Sequence, residues 1–166
     1  MGILEGLKNG INEKFSSEPE WKGHRFEKYI EKLFPEKDFQ LVEKTLSYQE
    51  NKKRFAERSL FFDFIFRDRK SESEFAVQAK YRSHLTGDGM LNWSNYEQMK
   101  KYQEFSKNEK IPYYVIIGLD GLDDNPERMF CIPLTEAKYP TLFRSVFKKY
   151  ERNPKEKFSW IDGKLR

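Results

Sequence analysis

Hydrophobic and polar positions change period several times along the chain, and each change marks an element. The stretch EFAVQAKYR, Glu74 to Arg82, alternates. Phe75, Val77, Ala79 and Tyr81 make an apolar row, while Glu74, Ala76, Gln78, Lys80 and Arg82 make a row that turns polar toward its end. A period of two predicts a β-strand. Just upstream, SLFFDFIFR is short and rich in β-favouring residues, which predicts a buried strand. The polar DRKSES between the two predicts an antiparallel hairpin.

Elsewhere the period is helical. Phe26, Ile30, Leu33 and Phe34 fall at i, i+4, i+7 and i+8, one apolar stripe on a helix. Ser17 and Glu20 are spaced as a capping box at its start, Pro19 lies in its first turn, and Pro35 ends it. DFQLVEKTL predicts a strand, and the charged QENKKRFAER after it a loop or frayed turn. After the Gly-containing loop SHLTGDGMLNW, Ser94 and Glu97 form a second capping box and start a helix, NYEQMKKYQEFSK. PYYVIIGLDG and RMFCIPL predict two further strands, and TLFRSVFKKYE a short amphipathic helix. The order helix, strand, hairpin, helix, strand, strand predicts an α/β or α+β fold, a mixed central sheet flanked by helices. No repeat or Pro/Gly-rich linker divides the chain, so residues 1–166 are expected to form one domain with its core at about 17–150. An N-terminal helix and a charged, surface-lying C-terminal tail are expected as extensions.

Composition narrows the setting. A chain of 166 residues can bury roughly two-thirds of the surface its unfolded form exposes. No apolar run approaches the ~18 residues of a membrane span, and MGILEGLKNG lacks the core of a signal peptide. Gly6 stands where a myristoylation signal needs Ser or Thr. Cys131 is the single cysteine, which excludes a disulfide framework and makes a reducing, cytoplasmic setting the expectation. The net charge of +4, from 31 basic and 27 acidic residues, is compatible with a polyanionic partner but too small to argue for one.

Several polar residues stand in apolar places. Asp63 lies between Phe62 and Phe64, where an ionised carboxylate is costly without a partner. Strand parity puts it on one face with Phe61 and Ile65, and in an antiparallel hairpin the Gln78–Lys80 row can lie beside it. The plain alternative is a buried Asp–Lys ion pair with Gln78 as a hydrogen-bonding neighbour. Glu27 borders the buried stripe of the first helix, where it is either a surface acid paired with a lysine or part of the same cluster. Gln98 and Tyr102, at i and i+4 on the second helix, adjoin its Met99–Phe105 face. Their plain reading is a half-buried tyrosine with a glutamine at the rim.

Taken in chain order, the set reads Gly23-x-x-Phe26-Glu27, Asp63 in a hydrophobic strand, Gln78-x-Lys80 in the next, then Gln98-x-x-x-Tyr102. This set resembles the PD-(D/E)xK nuclease superfamily. The G-x-x-F-E opening and the Q-x-K variant look like its Mrr-type restriction endonucleases. The Q-x-x-x-Y helix is similar to the motif after the catalytic strand in RecB-type nucleases. The resemblance covers about Gly23 to Leu134.

The resemblance implies a restriction endonuclease-like αβββαβ core and metal-dependent hydrolysis of nucleic-acid phosphodiesters, by a DNA endonuclease of restriction or repair type. It implies Asp63 as the central metal ligand, with Glu27 contributing directly or through water. Gln78 would offer its amide oxygen where the family more often has Glu or Asp, and the Ala79 backbone carbonyl would complete the protein ligands. Hard oxygen ligands suit Mg²⁺ or Mn²⁺. Lys80 would orient the attacking water or steady negative charge, and Arg82 could hold a neighbouring phosphate. Gln98 and Tyr102 are carried over as substrate-side residues.

With Gln78 in place of an acid the site is less negative, so metal binding is expected to be weak and to tighten when substrate phosphate adds a ligand. Lys52, Lys53, Arg54, Arg58, Lys100 and Lys101 are candidate phosphate contacts or solvated faces, and the loop from His84 to Trp93 is a candidate lid. His24 and His84 are not needed by a one-metal mechanism. DNA is the expected partner, with RNA left open; if cutting is specific, a homodimer partner, another subunit or DNA structure would supply the selectivity. A catalytically inactive nucleic-acid-binding or regulatory module is the alternative of a different class.

Overall fold

Odd and even positions of the EFAVQAKYR strand part to the two faces of a mixed sheet, and that parting positions everything else. The structure, a computed structural model, describes residues 19–45 and 61–166. The Ser17 cap, the expected N-terminal helix, the stretch 49–58 and its cations Lys52, Lys53, Arg54 and Arg58 lie outside the described residues.

Helix α1 (Pro19–Lys32) is followed by β1 (Phe39–Lys44), β2 (Phe64–Asp68), β3 (Glu74–Arg82), the short β4 (Leu91–Asn92), helix α2 (Tyr96–Glu109), β5 (Tyr113–Leu122) and β6 (Asn125–Pro133). Beyond them come β7 (Thr141–Leu142), a one-turn helix α3 (Arg144–Phe147) running into a 3-10 turn, β8 (Glu151–Arg152), β9 (Trp160–Ile161) and β10 (Lys164–Leu165). The α-β-β-β-α-β order expected for the core is the order observed, with the two-residue β4 added before α2.

Six strands make one sheet in the order β1-β2-β3-β5-β6-β8. The β2–β3 hairpin is antiparallel, pairing Phe64 with Val77 and Phe66 with Phe75. Its turn is fixed by Asp68, whose Oδ2 accepts from Ser71 N (2.8 Å) and Ser71 Oγ (2.6 Å). β3 and β5 are parallel, Ala76 beside Tyr113 through Arg82 beside Leu119, and α2 is the crossover that parallel neighbours require.

Each face of the sheet carries its own core. On the odd face of β3, Phe26 and Ile30 of α1 and Phe34 just after it pack with Phe64, Phe66, Phe75, Val77, Tyr114 and Ile116. Phe34 stacks on Phe66 at 4.0 Å and on Phe158 at 4.5 Å. On the even face, Met99, Tyr102 and Phe105 of α2 pack with Ile65, Ala76, Tyr113, Val115 and Ile117. Gly118 of β5 lies directly under Phe26, and a Cβ there would fall 2.6 Å from the ring. A side-chain-free residue is what lets α1 approach the sheet this closely.

The structure corrects four expectations. The N-cap of α2 is Asn95, whose Oδ1 accepts from Gln98 N at 2.8 Å, so the Ser94–Glu97 box does not form. Asn caps as well as Ser, and this phase turns Met99, Tyr102 and Phe105 to the sheet. The TLFRSVFKKYE segment is not one helix: Leu142 pairs with Leu91 in a small β4–β7 ladder before the single turn of α3. The C-terminal segment is not a surface-lying tail. Phe158 and Leu165 are buried in the α1-side core, and Trp160 stacks on Phe75 at 4.8 Å. Charged neighbours mask these apolar residues in the sequence, but they cover a sheet face that α1 alone leaves open. Lastly, β2 begins at Phe64, so Asp63 precedes the strand.

Candidate active site

The site forms where two strands separate. β3 pairs with β5 up to Arg82 but with β2 only as far as Val77, because the chain leaves the ladder on the Asp63 side of Phe64. The polar half of EFAVQAKYR therefore borders a gap. Asp63 is pinned at the mouth of that gap by its backbone: its N–H donates to Val77 O (2.9 Å) and its carbonyl accepts from Thr45 N (3.0 Å).

The Asp63 carboxylate takes the place of the missing strand. Its Oδ2 accepts from Ala79 N and from Gln78 Nε2, both at 2.8 Å. In a strand the carbonyl of a residue points to the same side as its N–H, so the Ala79 carbonyl faces the gap as well. Asp63 is 8% exposed and Gln78 7%.

Glu27 arrives from the opposite face. Phe26 and Ile30 are fully buried and fix the rotation of α1, which leaves Glu27 at the helix border, aimed past the sheet toward Asp63. The two carboxyl groups lie close enough for each to shift the other's titration. One turn along, Glu31 pairs with Lys44 at 2.7 Å, and the Lys44 charge also reaches Glu27.

Electrostatics follows from burial. Desolvation and the Asp63 charge push Glu27 far above the ordinary carboxylate range. Desolvation raises Asp63 too, opposed by the Ala79 N–H, the Lys80 charge and the Glu27 and Gln78 side chains. Two charged carboxylates ~4 Å apart would repel by about 4 kcal/mol at an effective dielectric of ~20, so proximity and burial favour retention of a proton on the pair until a cation takes its place. Burial lowers the Lys80 ammonium, opposed by Asp63 and Glu27. Its Nζ stands 5.7 Å from the centre of the Tyr102 ring.

The other expected residues are placed as follows. Tyr102 is buried against Trp93 (6.1 Å) and Tyr113 (5.7 Å), so it supports Lys80 from beneath. Gln98 is exposed, with its Oε1 accepting from Ser94 Oγ at 3.4 Å. Arg82 is engaged elsewhere than at a phosphate: its guanidinium donates to the carbonyls of Asn92 (2.7 Å), Trp93 (2.9 Å) and Tyr81 (2.9 Å). The loop expected as a lid is tied by that clamp and by a closed turn, Thr86 N to Met90 O at 2.9 Å. His84 is exposed and bonded to Ser83, and Lys100 lies over Tyr96.

Tyr113 was not singled out in the sequence. Its hydroxyl donates to Phe61 O at 2.5 Å and stands 3.5 Å from Gln78 Oε1, bracing both chains at the gap. The only signal was parity: Tyr113 shares a face with Val115 and Ile117, a position where a hydroxyl needs a partner.

Among the described residues no group of three or more His, Cys, Asp or Glu gathers. The available donors are two carboxylates, an amide and a backbone carbonyl, a hard oxygen set that fits Mg²⁺ or Mn²⁺. Gln78 presents its nitrogen to Asp63 here, so its oxygen would join that set only with the amide turned over.

Among the described residues no helix is long and apolar enough to cross a membrane. No family model matches the chain, and no curated protein does. Among solved structures the chain is similar to Hjc of Archaeoglobus fulgidus, a Holliday junction resolvase from an archaeal hyperthermophile. Identity is 15% and the TM-score 0.48, over 75% of this chain and 89% of that one.

Proposed function

We propose that the protein hydrolyses phosphodiester bonds of nucleic acid, as a metal-dependent DNA endonuclease of restriction or repair type within the PD-(D/E)xK superfamily. The observation that carries the reading is the convergence of Glu27, Asp63, Gln78 and Lys80, from three separate segments of the chain, on one gap in the sheet. A buried acid brought up against a half-buried one beside a partly desolvated lysine is costly for folding alone, and perturbed groups of this kind cluster at functional sites.

Asp63, Glu27 and the Ala79 carbonyl would hold Mg²⁺ or Mn²⁺, with Gln78 completing the set through its amide oxygen. The cation, when bound, lowers the pKa of water and polarises the phosphate. Lys80 orients the attacking water by hydrogen bonding and steadies the negative charge that develops on the phosphate. Tyr102 and Tyr113 hold Lys80 and Gln78 in place from the core side. Arg82 positions the end of β3 by its three carbonyl contacts and is left out of phosphate binding.

One observation favours a second reading. Asp63 Oδ2 is already satisfied by Gln78 and Ala79, which is what a purely structural network in a nucleic-acid-binding relative would show. Incubation of plasmid and single-stranded DNA with Mg²⁺ or Mn²⁺ separates the two. Nicking by the wild type and none by Asp63→Ala and Lys80→Ala is expected; equal nicking by all three refutes the assignment. Loss of folding in Asp63→Ala with no nicking by the wild type supports the structural network.

A further inference from the structure

Every exposed aromatic side chain within residues 23–45 and 61–166 belongs to one small unit. Tyr96, Tyr139 and Phe143 are 59%, 68% and 63% exposed, whereas the other aromatics of residues 23–45 and 61–166 are buried or half-buried. The unit is the β4–β7 ladder with its flanks. Leu91 pairs with Leu142 and Asn92 with Thr141, and Trp93 Nε1 donates to Tyr139 O at 2.7 Å. Tyr96 opens α2 three residues after Trp93.

Charge singles out the same place. The segment KYPTLFRSVFKK, Lys138 to Lys149, carries four basic residues and no acid, in a chain whose charges otherwise nearly balance. Lys100 lies 4.9 Å from the centre of the Tyr96 ring. Beside Phe143 and Arg144 a hollow of about 350 Å³ opens, with Leu85, Met90 and Phe147 in its wall and the charged Asp88 and Arg128 also lining it. Its size and the apolar part of its wall suit a planar ring.

Exposed aromatics cost solubility, and a fold that needed only solubility would not gather them among cations. Aromatic faces interleaved with Lys and Arg are what unpaired nucleotides recognise: bases stack on the rings and phosphates meet the cations. In a duplex the bases are already stacked on each other and offer no free face. The unit is also coupled to the candidate site. Trp93 packs 6.1 Å from Tyr102, which lies beneath Lys80, and Arg82 of β3 holds the Asn92 and Trp93 carbonyls.

Resting on the nucleic-acid reading above, we propose that the β4–β7 unit is a stacking platform for unpaired nucleotides. Tyr139 and Phe143 take the bases, and Lys138 and Arg144 take the phosphates. The platform directs the protein to single-stranded or branched DNA in preference to continuous duplex.

The test is fluorescence anisotropy of the full chain in EDTA, where no strand is cut. The probes are a labelled oligothymidine of about 20 nucleotides, longer than the ~4–16 a single domain covers, and a blunt duplex of equal length. Tyr139→Ala/Phe143→Ala is expected to lose about tenfold or more on the single strand, the effect typical of losing stacked bases, and to change little on the duplex. Tyr139→Trp/Phe143→Trp is expected to retain affinity. Lys138→Glu/Arg144→Glu is expected to weaken both probes and flatten the salt dependence.

Thermal melts verify folding, which such exposed positions do not support. Unchanged single-strand affinity in the double alanine variant, equal loss on both probes, or no binding of single strands by the wild type overturns the platform. Stacking-dependent binding by a protein that nicks nothing keeps the platform and removes the nuclease reading. Nicking with no dependence on the aromatics does the reverse.

Discussion

Gly118→Ala tests whether the placement of α1 matters to the chemistry. A Cβ at position 118 would fall 2.6 Å from Phe26 Cε2 and 2.9 Å from Cζ. Ordinary carbon contacts lie at about 3.5–4.0 Å, so the ring must retreat by about 1 Å. It cannot swing aside, since Phe26 is fully buried with Tyr29 and Tyr81 packed about it at 6.4 and 6.1 Å. The retreat is therefore taken by α1, and the next residue on α1 is Glu27. Overpacking of this kind costs about 1–3 kcal/mol, which a denaturant melt resolves. A shift of about 1 Å in a catalytic group costs roughly 100-fold in rate, read as plasmid nicking with Mg²⁺. Adding Phe26→Leu shortens the ring side and is expected to recover part of both losses. A full rate with lowered stability would show that Glu27 need not be held where α1 holds it. A full rate with full stability would refute the packing argument itself.

Three further outcomes are expected. Burial raises both Glu27 and Asp63, so the folded, metal-free protein binds more protons than the unfolded chain at neutral pH. Its stability is then greatest below the ordinary carboxylate range and falls as pH rises through the raised pair, by at most about 1.4 kcal/mol per pH unit for each proton lost. Thermal melts from about pH 5 to about pH 8 measure this slope, and saturating Mg²⁺ is expected to flatten it. Lys80, lowered by burial, has the opposite sign in a window below its ordinary value of ~10.4, which is why the melts stop short of it. Calorimetry is expected to show weak Mg²⁺ binding by the wild type and tighter binding by Gln78→Glu, whose third carboxylate also lowers metal-free stability; tight binding by the wild type contradicts the charge argument. Phe158→Ala removes a buried ring that stacks on Phe34 and is expected to cost about 3–5 kcal/mol in denaturant melts, whereas a surface-lying tail would lose nothing.

What could be read from the sequence was what local periodicity and parity encode. The alternation in EFAVQAKYR put Gln78 and Lys80 on one face and Phe75, Val77 and Ala79 on the other, and the structure keeps that division. The stripe of Phe26, Ile30, Leu33 and Phe34 located α1 for the same reason. Long-range partners left no local trace. Phe158, Trp160 and Leu165 lie among charges and turn residues, and only the uncovered sheet face explains their burial. Arg82 belonged by parity to the polar row, but its destination depended on carbonyls at positions 92 and 93, which a loop could have placed anywhere.

Asp63 shows where local reasoning stops and the fold takes over. In the sequence it is an acid within an apolar run, and strand pairing alone would set it opposite Gln78 as a cross-strand neighbour. The structure instead ends the β2 ladder at Phe64, so the Asp63 side chain accepts the Ala79 N–H that a strand carbonyl would otherwise have taken. Beyond that point β3 from Gln78 to Arg82 has no β2 partner, and Glu27 reaches the gap from the helix on the odd face. An acid placed one residue later would be absorbed in the ladder, and Glu27 would have no acid to meet. The break in pairing, rather than any single polar residue, is what turns four side chains from three segments into one candidate site.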